Sequence, residues 1–298
     1  MGLKVWLAEV RVPFLLLTPD IVTFGTALAW FRGYFNPWLF AVTVVGALLL
    51  HIAVNVLNDY FDYVGGVDLL TRRTPFSGGS GILPAGLLSP KSVYFLGVAS
   101  LLGGLAVGAY LALAVGPWVL ALGLVGAATA YLYTPVLTKL GVGELSTGLN
   151  FGPLMVLGAY YVQTGRMDLE GFLAGIPVGL LVANLLLLNE FPDIEADARG
   201  GRRTIPILVG RPAAARIFAA VHVLAFLSLA ALVASGVLPA GALLGLVGAF
   251  PAFKAVSGAL RHSEEIEALV PFMAANVQAV LITPLLATVG MTVQGLLA

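Results

Sequence analysis

The sequence predicts an all-α, polytopic membrane protein of about nine transmembrane helices, and three observations carry that prediction. Of 298 residues, 59% are hydrophobic and 10% charged, with a mean hydropathy of +1.00, whereas a soluble domain carries about 25% charged residues. Apolar runs of the roughly 20 residues needed to cross a hydrocarbon core about 30 Å thick recur along the whole chain. There is no succession of short alternating segments of the kind that builds a barrel, and an open sheet in lipid would leave backbone groups unpaired.

The runs lie near 12 to 32, 38 to 57, 92 to 113, 117 to 135, 143 to 163, 170 to 190, 213 to 235, 238 to 258 and 268 to 290. The first is long and follows Lys4, Glu9 and Arg11, which sets it apart from a cleavable signal. Arg32, Gly33 and Pro37 separate it from the second, which gives way to Asn58 and the acids beyond. Gly116 and Pro117 divide the third from the fourth, Lys139 and Gly141 the fourth from the fifth, and Arg166 and Asp168 the fifth from the sixth. The sixth runs into Asn189 and Glu190, the seventh follows Arg211 and Pro212, Gly236 and Pro239 precede the eighth, and charges at 261 to 267 precede the ninth. The chain reads as a single domain over residues 1–298.

Two connections, near 58 to 91 and 191 to 212, are long, charged and glycine-rich, while most of the others are short turns. Nine helices would place Lys4, Arg11, Arg72, Arg73, Lys91, Lys139, Arg199, Arg202, Arg203, Arg211, Arg216, Lys254 and Arg261 on one side, against Arg32 and Arg166 on the other. The positive-inside rule makes the first side cytoplasmic, with the N-terminus in, the C-terminus out and both long connections on the cytoplasmic face. A formal net charge of zero argues against a nucleic-acid partner, and the absence of cysteine excludes disulfides, thiolate zinc sites and a cysteine nucleophile.

His51, Asn55, Asn58 and Asp62 follow one another at steps of four, three and four, which puts them on one helical face leading into NDYFDYVGGVD, residues 58–68. The second long connection opens with NEFPDIEAD, residues 189–197, where Asn189, Asp193 and Asp197 also stand four apart and Pro192 is a point of helix interruption. Both motifs read Asn, acid, two residues, Asp, which suggests an internal pseudo-repeat. Acidic clusters beside lipid require a counter-charge. Oxygen donors without cysteine suit Mg²⁺, which commonly bridges carboxylates to phosphates, so the expected ligand is a magnesium-bound diphosphate. Arg72, Arg73, Lys139, Arg202 and Arg203 are candidates to neutralise it. TRRTPFSGGSG, residues 71–81, lacks the order of a P-loop and reads as a flexible connector or a lid over phosphate.

Asp20 after Pro19 is an intramembrane acid and so a site candidate, while Asn150, Asn184, Asn276 and Gln278 read as interhelical hydrogen-bonding groups. A transporter would spread its acids through the membrane depth, whereas here they gather at one face. A soluble-type prenyl diphosphate synthase uses aspartate clusters but lacks nine apolar runs of lipid length.

Two aspartate-rich motifs after helices two and six of a nine-helix chain resemble the UbiA superfamily of intramembrane aromatic prenyltransferases. In detail, NDYFDYVGGVD with RRTPFSGGSG, and LLLLNEFPDIEAD with GRRT, look most like the branch that prenylates 1,4-dihydroxy-2-naphthoate in menaquinone synthesis. Asn58, Asp59 and Asp62 match the family's NDxxDxxxD, but its last acid falls on Gly66 and Asp68 lies two residues later. The second motif, DxxxD, maps onto Asp193 and Asp197, with Asn189 and Glu190 just upstream. The resemblance implies a helix bundle around a central cavity, with two Mg²⁺ ions bridging a prenyl diphosphate to Asn58, Asp62, Asp193 and Asp197. It makes Asp59, Asp68, Asn189 and Glu190 further metal candidates, and Asp62, Asp193 and Lys139 the catalytic ones. The family's diphosphate-contacting tyrosine and lysine map near Tyr131, Tyr133 and Lys139 in YLYTPVLTK. His51 reads either as a satisfied core histidine or as a residue that orients an asparagine or contacts an aromatic acceptor, with Asn55 and Asp20 as further acceptor candidates, and the tail is expected in a lipid-open groove beside residues such as Phe14, Phe24 and Trp30. Geranylgeranylglyceryl phosphate, 4-hydroxybenzoate and a chlorophyll precursor remain alternative acceptors within the family.

Overall fold

A computed structural model describes residues 2–297 and is helical throughout its regular structure. A short helix α1 (Leu3–Glu9) precedes α2 (Val12–Phe31), and Arg11 joins them in a left-handed conformation, φ 56°. Next come α3 (Pro37–Val64), α4 (Pro90–Ala114), α5 (Trp118–Leu140), α6 (143–164) and α7 (Leu169–Asn189). Two short helices, α8 (Ile194–Arg199) and α9 (Ile205–Val209), lie in the second long connection, before α10 (Arg211–Ala234), α11 (Ala240–His262) and α12 (Ile266–Leu297). Among the described residues eight helices are long and apolar enough to cross a bilayer. The expected fifth span, α6, is helical but more polar, since Glu144, Ser146, Thr147 and Asn150 fall within it.

Local chemistry starts and bends these helices. Asn36 accepts from the backbone N–H groups of Trp38 and Leu39 at 3.0 and 3.1 Å, with Pro37 opening α3, and Ser89 caps α4 in the same way through Ser92 at 3.1 Å. Pro135 and Pro153 each lack an N–H, and at each the helix loosens into a π-turn, Tyr133–Leu137 in α5 and Asn150–Leu154 in α6.

The core joins α2 and α6 to α7 and α10–α12, with Ile21, Phe24, Leu28, Val156, Leu181, Leu229, Val280 and Met291 buried together. Hydrophobicity alone does not associate helices in lipid, so close backbone approach matters. At Gly152 an added Cβ would collide with the backbone of Gly179, which is how α6 lies directly on α7. Asn184 and Asn276 make the interhelical bonds expected of them: Asn184 donates to Phe218 O at 2.8 Å and Asn276 to Asn184 O at 3.3 Å. Gln278 instead faces outward.

The two long connections meet at one end of the bundle, where Gly78 N donates to Asp193 Oδ2 at 3.2 Å. At the other end Arg32 holds Glu170 and the carbonyls of Gly236 and Val237, tying three turns together.

Candidate active site

The first motif opens on helix, as the spacing of His51, Asn55, Asn58 and Asp62 predicts, although the apolar run itself ends near 57. Because α3 continues to Val64, Asn58, Asp59 and Asp62 occupy its last two turns, with His51 and Asn55 below them on the same helix. The second motif is broken: α7 ends at Asn189, Pro192 forbids its continuation, and Asp193 starts α8, which carries Asp197. The stripe from Asn189 therefore stops one step earlier than its spacing suggests, while Asp197 N still bonds Asp193 O at 2.8 Å.

Arginines hold the acids. Arg202 donates to Asp197 Oδ1 at 2.8 Å and to Asp62, joining one carboxylate from each motif. Arg11 pairs with Asp59 and donates to Asn58 Oδ1 at 3.2 Å. Its left-handed backbone, which costs about 1–2 kcal/mol in a residue with a Cβ, aims the guanidinium inward. Asn58 Nδ2 reaches both Asp62 Oδ2 and Thr134 Oγ1 at 2.9 Å. The glycine-rich loop lies over this layer: Ser80 N donates to Asp59 Oδ2 at 3.0 Å and Ser80 Oγ to Glu9 Oε2 at 2.9 Å. Gly79, at φ +72°, comes so near that an added Cβ would sit 3.2 Å from Asp59 Oδ1 and 3.4 Å from Asp68 Oδ1.

Beneath the loop is a cavity of about 400 Å³, bounded by Arg11, Asn58, Asn189, Glu190, Asp193, Asp197 and Arg202 at its polar end and by Phe14, Leu17, Val280 and Leu281 at its apolar end. A second, largely apolar cavity of about 170 Å³ runs between α3, α4, α5 and α6. The two share His51, Val54, Tyr133, Thr147 and Phe151, so the polar chamber continues into an apolar groove.

Charge is unbalanced in the chamber. Six buried or partly buried acids (Asp59, Asp62, Asp68, Glu190, Asp193, Asp197) face two inward arginines. Burial, then repulsion from Asp62, raises Asp68 to about 7; burial, then Asp197, raises Asp193 to about 7. Burial lifts Asp197 to about 6 despite Arg202, and burial with Glu144 beside it holds Glu190 well above the usual carboxylate range. Burial opposes the charge on Arg202, but Asp62 and Asp197 together more than offset it.

The donor set fits a hard cation. Asp68 Oδ2, Asn189 Oδ1, Glu190 Oε2 and Asp193 Oδ1 are buried acceptors without a hydrogen-bond partner, all oxygen, in a site with surplus negative charge. Among the described residues no three acidic or histidine side chains converge on one point, because Arg11 and Arg202 draw Asp59, Asp62 and Asp197 to themselves.

The sequence profile of the UbiA prenyltransferase family matches residues 21–277. This chain belongs to the UbiA prenyltransferase family. It is 34% identical over 218 residues to the 1,4-dihydroxy-2-naphthoate octaprenyltransferase of Bacillus subtilis, covering 72% of this chain and 69% of the relative. The protein of the same name from Escherichia coli is 31% identical over 225 residues, 72% of each chain. A UbiA homolog from Aeropyrum pernix shares the fold with a TM-score of 0.74 at 21% identity, covering 93% of this chain and 97% of that one. A UbiA homolog from Archaeoglobus fulgidus, bound to DMAPP and Mg²⁺, aligns with a TM-score of 0.61 at 14% identity, over 95% and 99% of the two chains. The protein is a multi-pass membrane prenyltransferase.

Several candidates of this UbiA prenyltransferase fall outside the chamber. Lys139 and Arg203 are exposed and do not line it; the π-turn at Tyr133–Leu137 re-phases the end of α5 so that Tyr133 and Thr138 face inward instead. Arg72 is exposed and pairs with Glu267 at 2.6 Å. Arg73 braces the loop, donating to Gly78 O at 3.0 Å. Tyr131 bonds Tyr94 at 3.2 Å, away from the acids. Asp20 lines neither cavity, Phe24 is buried in the core, and Trp30 packs against Gly295, leaving Phe14 as the one of those three aromatics in the chamber. Asp59, Asp62 and Asp68 stand behind the arginines and the loop rather than in the wall itself.

Sequence reasoning passed over Arg11, Glu9, Ser80, Thr134 and Glu144. Glu144 is buried in α6 and accepts from Ile205 N at 2.6 Å, fixing the start of α9 just beyond Arg202. Its signal was present, an acid at the start of an apolar run. Arg11 had none beyond its place before α2, since a basic residue there also satisfies the positive-inside rule.

Proposed function

We propose that this enzyme transfers a polyprenyl group from a prenyl diphosphate to 1,4-dihydroxy-2-naphthoate, with Mg²⁺ held between the two motifs on the cytoplasmic face. The observation that carries the reading is the chamber itself: unpartnered acceptor oxygens of Asn189, Glu190 and Asp193 at its polar end, with that of Asp68 from the first motif behind the glycine-rich loop, opening directly into an apolar groove. A diphosphate head and a prenyl tail have that same division of polarity. The names of the Bacillus subtilis and Escherichia coli relatives support the naphthoate acceptor, and the DMAPP and Mg²⁺ bound by the Archaeoglobus fulgidus homolog support the donor and the ion.

Asn58, Asp62, Asn189, Asp193 and Asp197 would hold the ions, with Asp59, Asp68 and Glu190 adding negative charge around them. Bound Mg²⁺ supplies positive charge to a departing diphosphate. Arg11 and Arg202 place fixed guanidinium charge beside the same leaving group. The loop 77–80 lines the chamber, where its closure would keep out the water that would otherwise capture the allylic cation. The groove between α3 and α6 takes the tail. In the naphthoate substrate the attacked ring carbon carries the carboxylate that departs as carbon dioxide.

The test is purified protein in detergent with Mg²⁺ and geranylgeranyl diphosphate, offered 1,4-dihydroxy-2-naphthoate, 4-hydroxybenzoate or geranylgeranylglyceryl phosphate separately. A prenylated, decarboxylated naphthoquinol by mass spectrometry is the expected product. Product from one of the other acceptors alone would remove the naphthoate assignment and keep the enzyme class.

A further inference from the structure

We infer that His51 holds the aromatic acceptor, through its Nε2 atom, at the junction of the two cavities. The inference rests on the aromatic prenyltransferase reading and adds the position of the second substrate.

His51 is 6% exposed and lines both the polar chamber and the apolar groove. Two contacts fix its ring. Nδ1 shares a hydrogen bond with Thr18 Oγ1 at 2.7 Å, and the ring meets Phe151 edge-on, with centroids 4.8 Å apart and planes at 74°. Nε2 has no hydrogen-bond partner among the described residues and remains open to the cavity rather than sealed in the protein. Set at the mouth of a largely apolar groove, that free nitrogen is available to a ligand that brings a polar group to it.

Of the other polar groups at the junction, Thr147 also lines both cavities, while Asn55 and Tyr133 are engaged or turned toward the acids. Asn55 Nδ2, one turn closer to the acids, donates to Val10 O at 3.2 Å. Tyr133 turns its hydroxyl toward Gly143, the neighbour of Glu144, at the acidic end. His51 is the deepest polar side chain of the stripe on α3.

Depth decides what it meets. His51 precedes Asn58 by seven residues on one continuous helix, about 10 Å at 1.5 Å per residue. With the diphosphate at the level of Asn58, the reacting prenyl carbon lies just beneath it, and the attacked ring carbon approaches to about 3–3.5 Å. In 1,4-dihydroxy-2-naphthoate both hydroxyls lie on the ring that is attacked, so the hydroxyl farther from the carboxylate-bearing carbon reaches Nε2 while that carbon faces the donor. Phe151, which also lines both cavities, offers a ring beside that path.

The experiment compares wild type with His51→Ala, His51→Gln and Thr18→Val, as full chains in detergent. Steady-state kinetics vary each substrate in turn, and calorimetry measures Mg²⁺-dependent binding of geranylgeranyl diphosphate. His51→Ala is expected to raise KM for 1,4-dihydroxy-2-naphthoate about tenfold or more, the worth of roughly 1.4 kcal/mol, while leaving the diphosphate Kd and KM unchanged. His51→Gln, which keeps a hydrogen-bonding group at that depth, recovers most of the loss, and Thr18→Val shows a smaller rise in the same constant. An unchanged acceptor KM in His51→Ala, or equal rises for both substrates, overturns the assignment while leaving the prenyltransferase reading intact. Wild-type protein that binds the diphosphate yet prenylates no aromatic acceptor overturns that reading instead.

Discussion

Arg202 bonds one carboxylate from each motif, so it is the residue through which the two halves of the site are joined. Its position explains why the acids do not crowd together without a cation: each arginine stands where positive charge is required. Asp193 differs, since its one bond is from Gly78 N and its Oδ1 has no partner. Replacing Asp193 by Ala removes a carboxyl from a cluster with surplus negative charge, so turnover should fall by about a thousandfold or more, on the scale of about 4 kcal/mol of lost transition-state stabilisation. The melting temperature of the metal-free variant should not fall. Undiminished activity in Asp193→Ala would refute the proposed metal-diphosphate arrangement.

Among the elements, two glycines do opposite work. Gly79 carries the loop over Asp59 and Asp68 in a left-handed conformation, and nothing in the helix packing depends on it. Gly79→Val should therefore displace the loop, lowering kcat about tenfold or more through a conformational cost of about 1–2 kcal/mol plus a lost seal, with a nearly unchanged melting temperature. Gly152 lets α6 touch α7 backbone to backbone. Gly152→Val should cost about 3 kcal/mol or more by overpacking and appear as earlier thermal unfolding in detergent. The reverse pattern, with Gly79→Val unfolding early and Gly152→Val stable, would mean that the two contacts have been assigned the wrong roles.

For the molecule as a whole, the raised acids tie stability to pH. Asp68 and Asp193, ordinarily near 3.8, reach about 7, and Asp197 about 6, so the folded metal-free protein holds more protons than the unfolded chain between about pH 4 and 7. Stability from this source is fully present below pH 4 and is lost as pH rises through 7. Bound Mg²⁺ requires the ionised form and reverses the trend. Thermal melts should therefore show Mg²⁺ with geranylgeranyl diphosphate stabilising the protein more at pH 8 than at pH 5.5, and affinity for Mg²⁺ falling by about tenfold per pH unit below about 7 for Asp193 and again below about 6 for Asp197. A ligand-induced shift that is equal at both pH values would argue against carboxylate binding of the ion.

The sequence by itself determined the helical class, the number of spans to within the polar α6, and the residue types of the chamber, because lipid admits few backbones and makes every buried acid conspicuous. The polar stripes through Asn58 and Asp62 and through Asn189 and Asp193 were legible from spacing, while Arg202 was named only as one of several basic residues near the motifs. Only the tertiary structure decided which cations face inward. Arg11 enters through a left-handed backbone, and Lys139 turns away across a π-turn, two local departures that leave the apolar pattern unchanged. It also decided that His51 stands where two cavities join, since the meeting of α3, α5 and α6 depends on contacts between residues far apart in the chain. Periodicity reports which face of a helix is polar; the partner across from that face is set by packing.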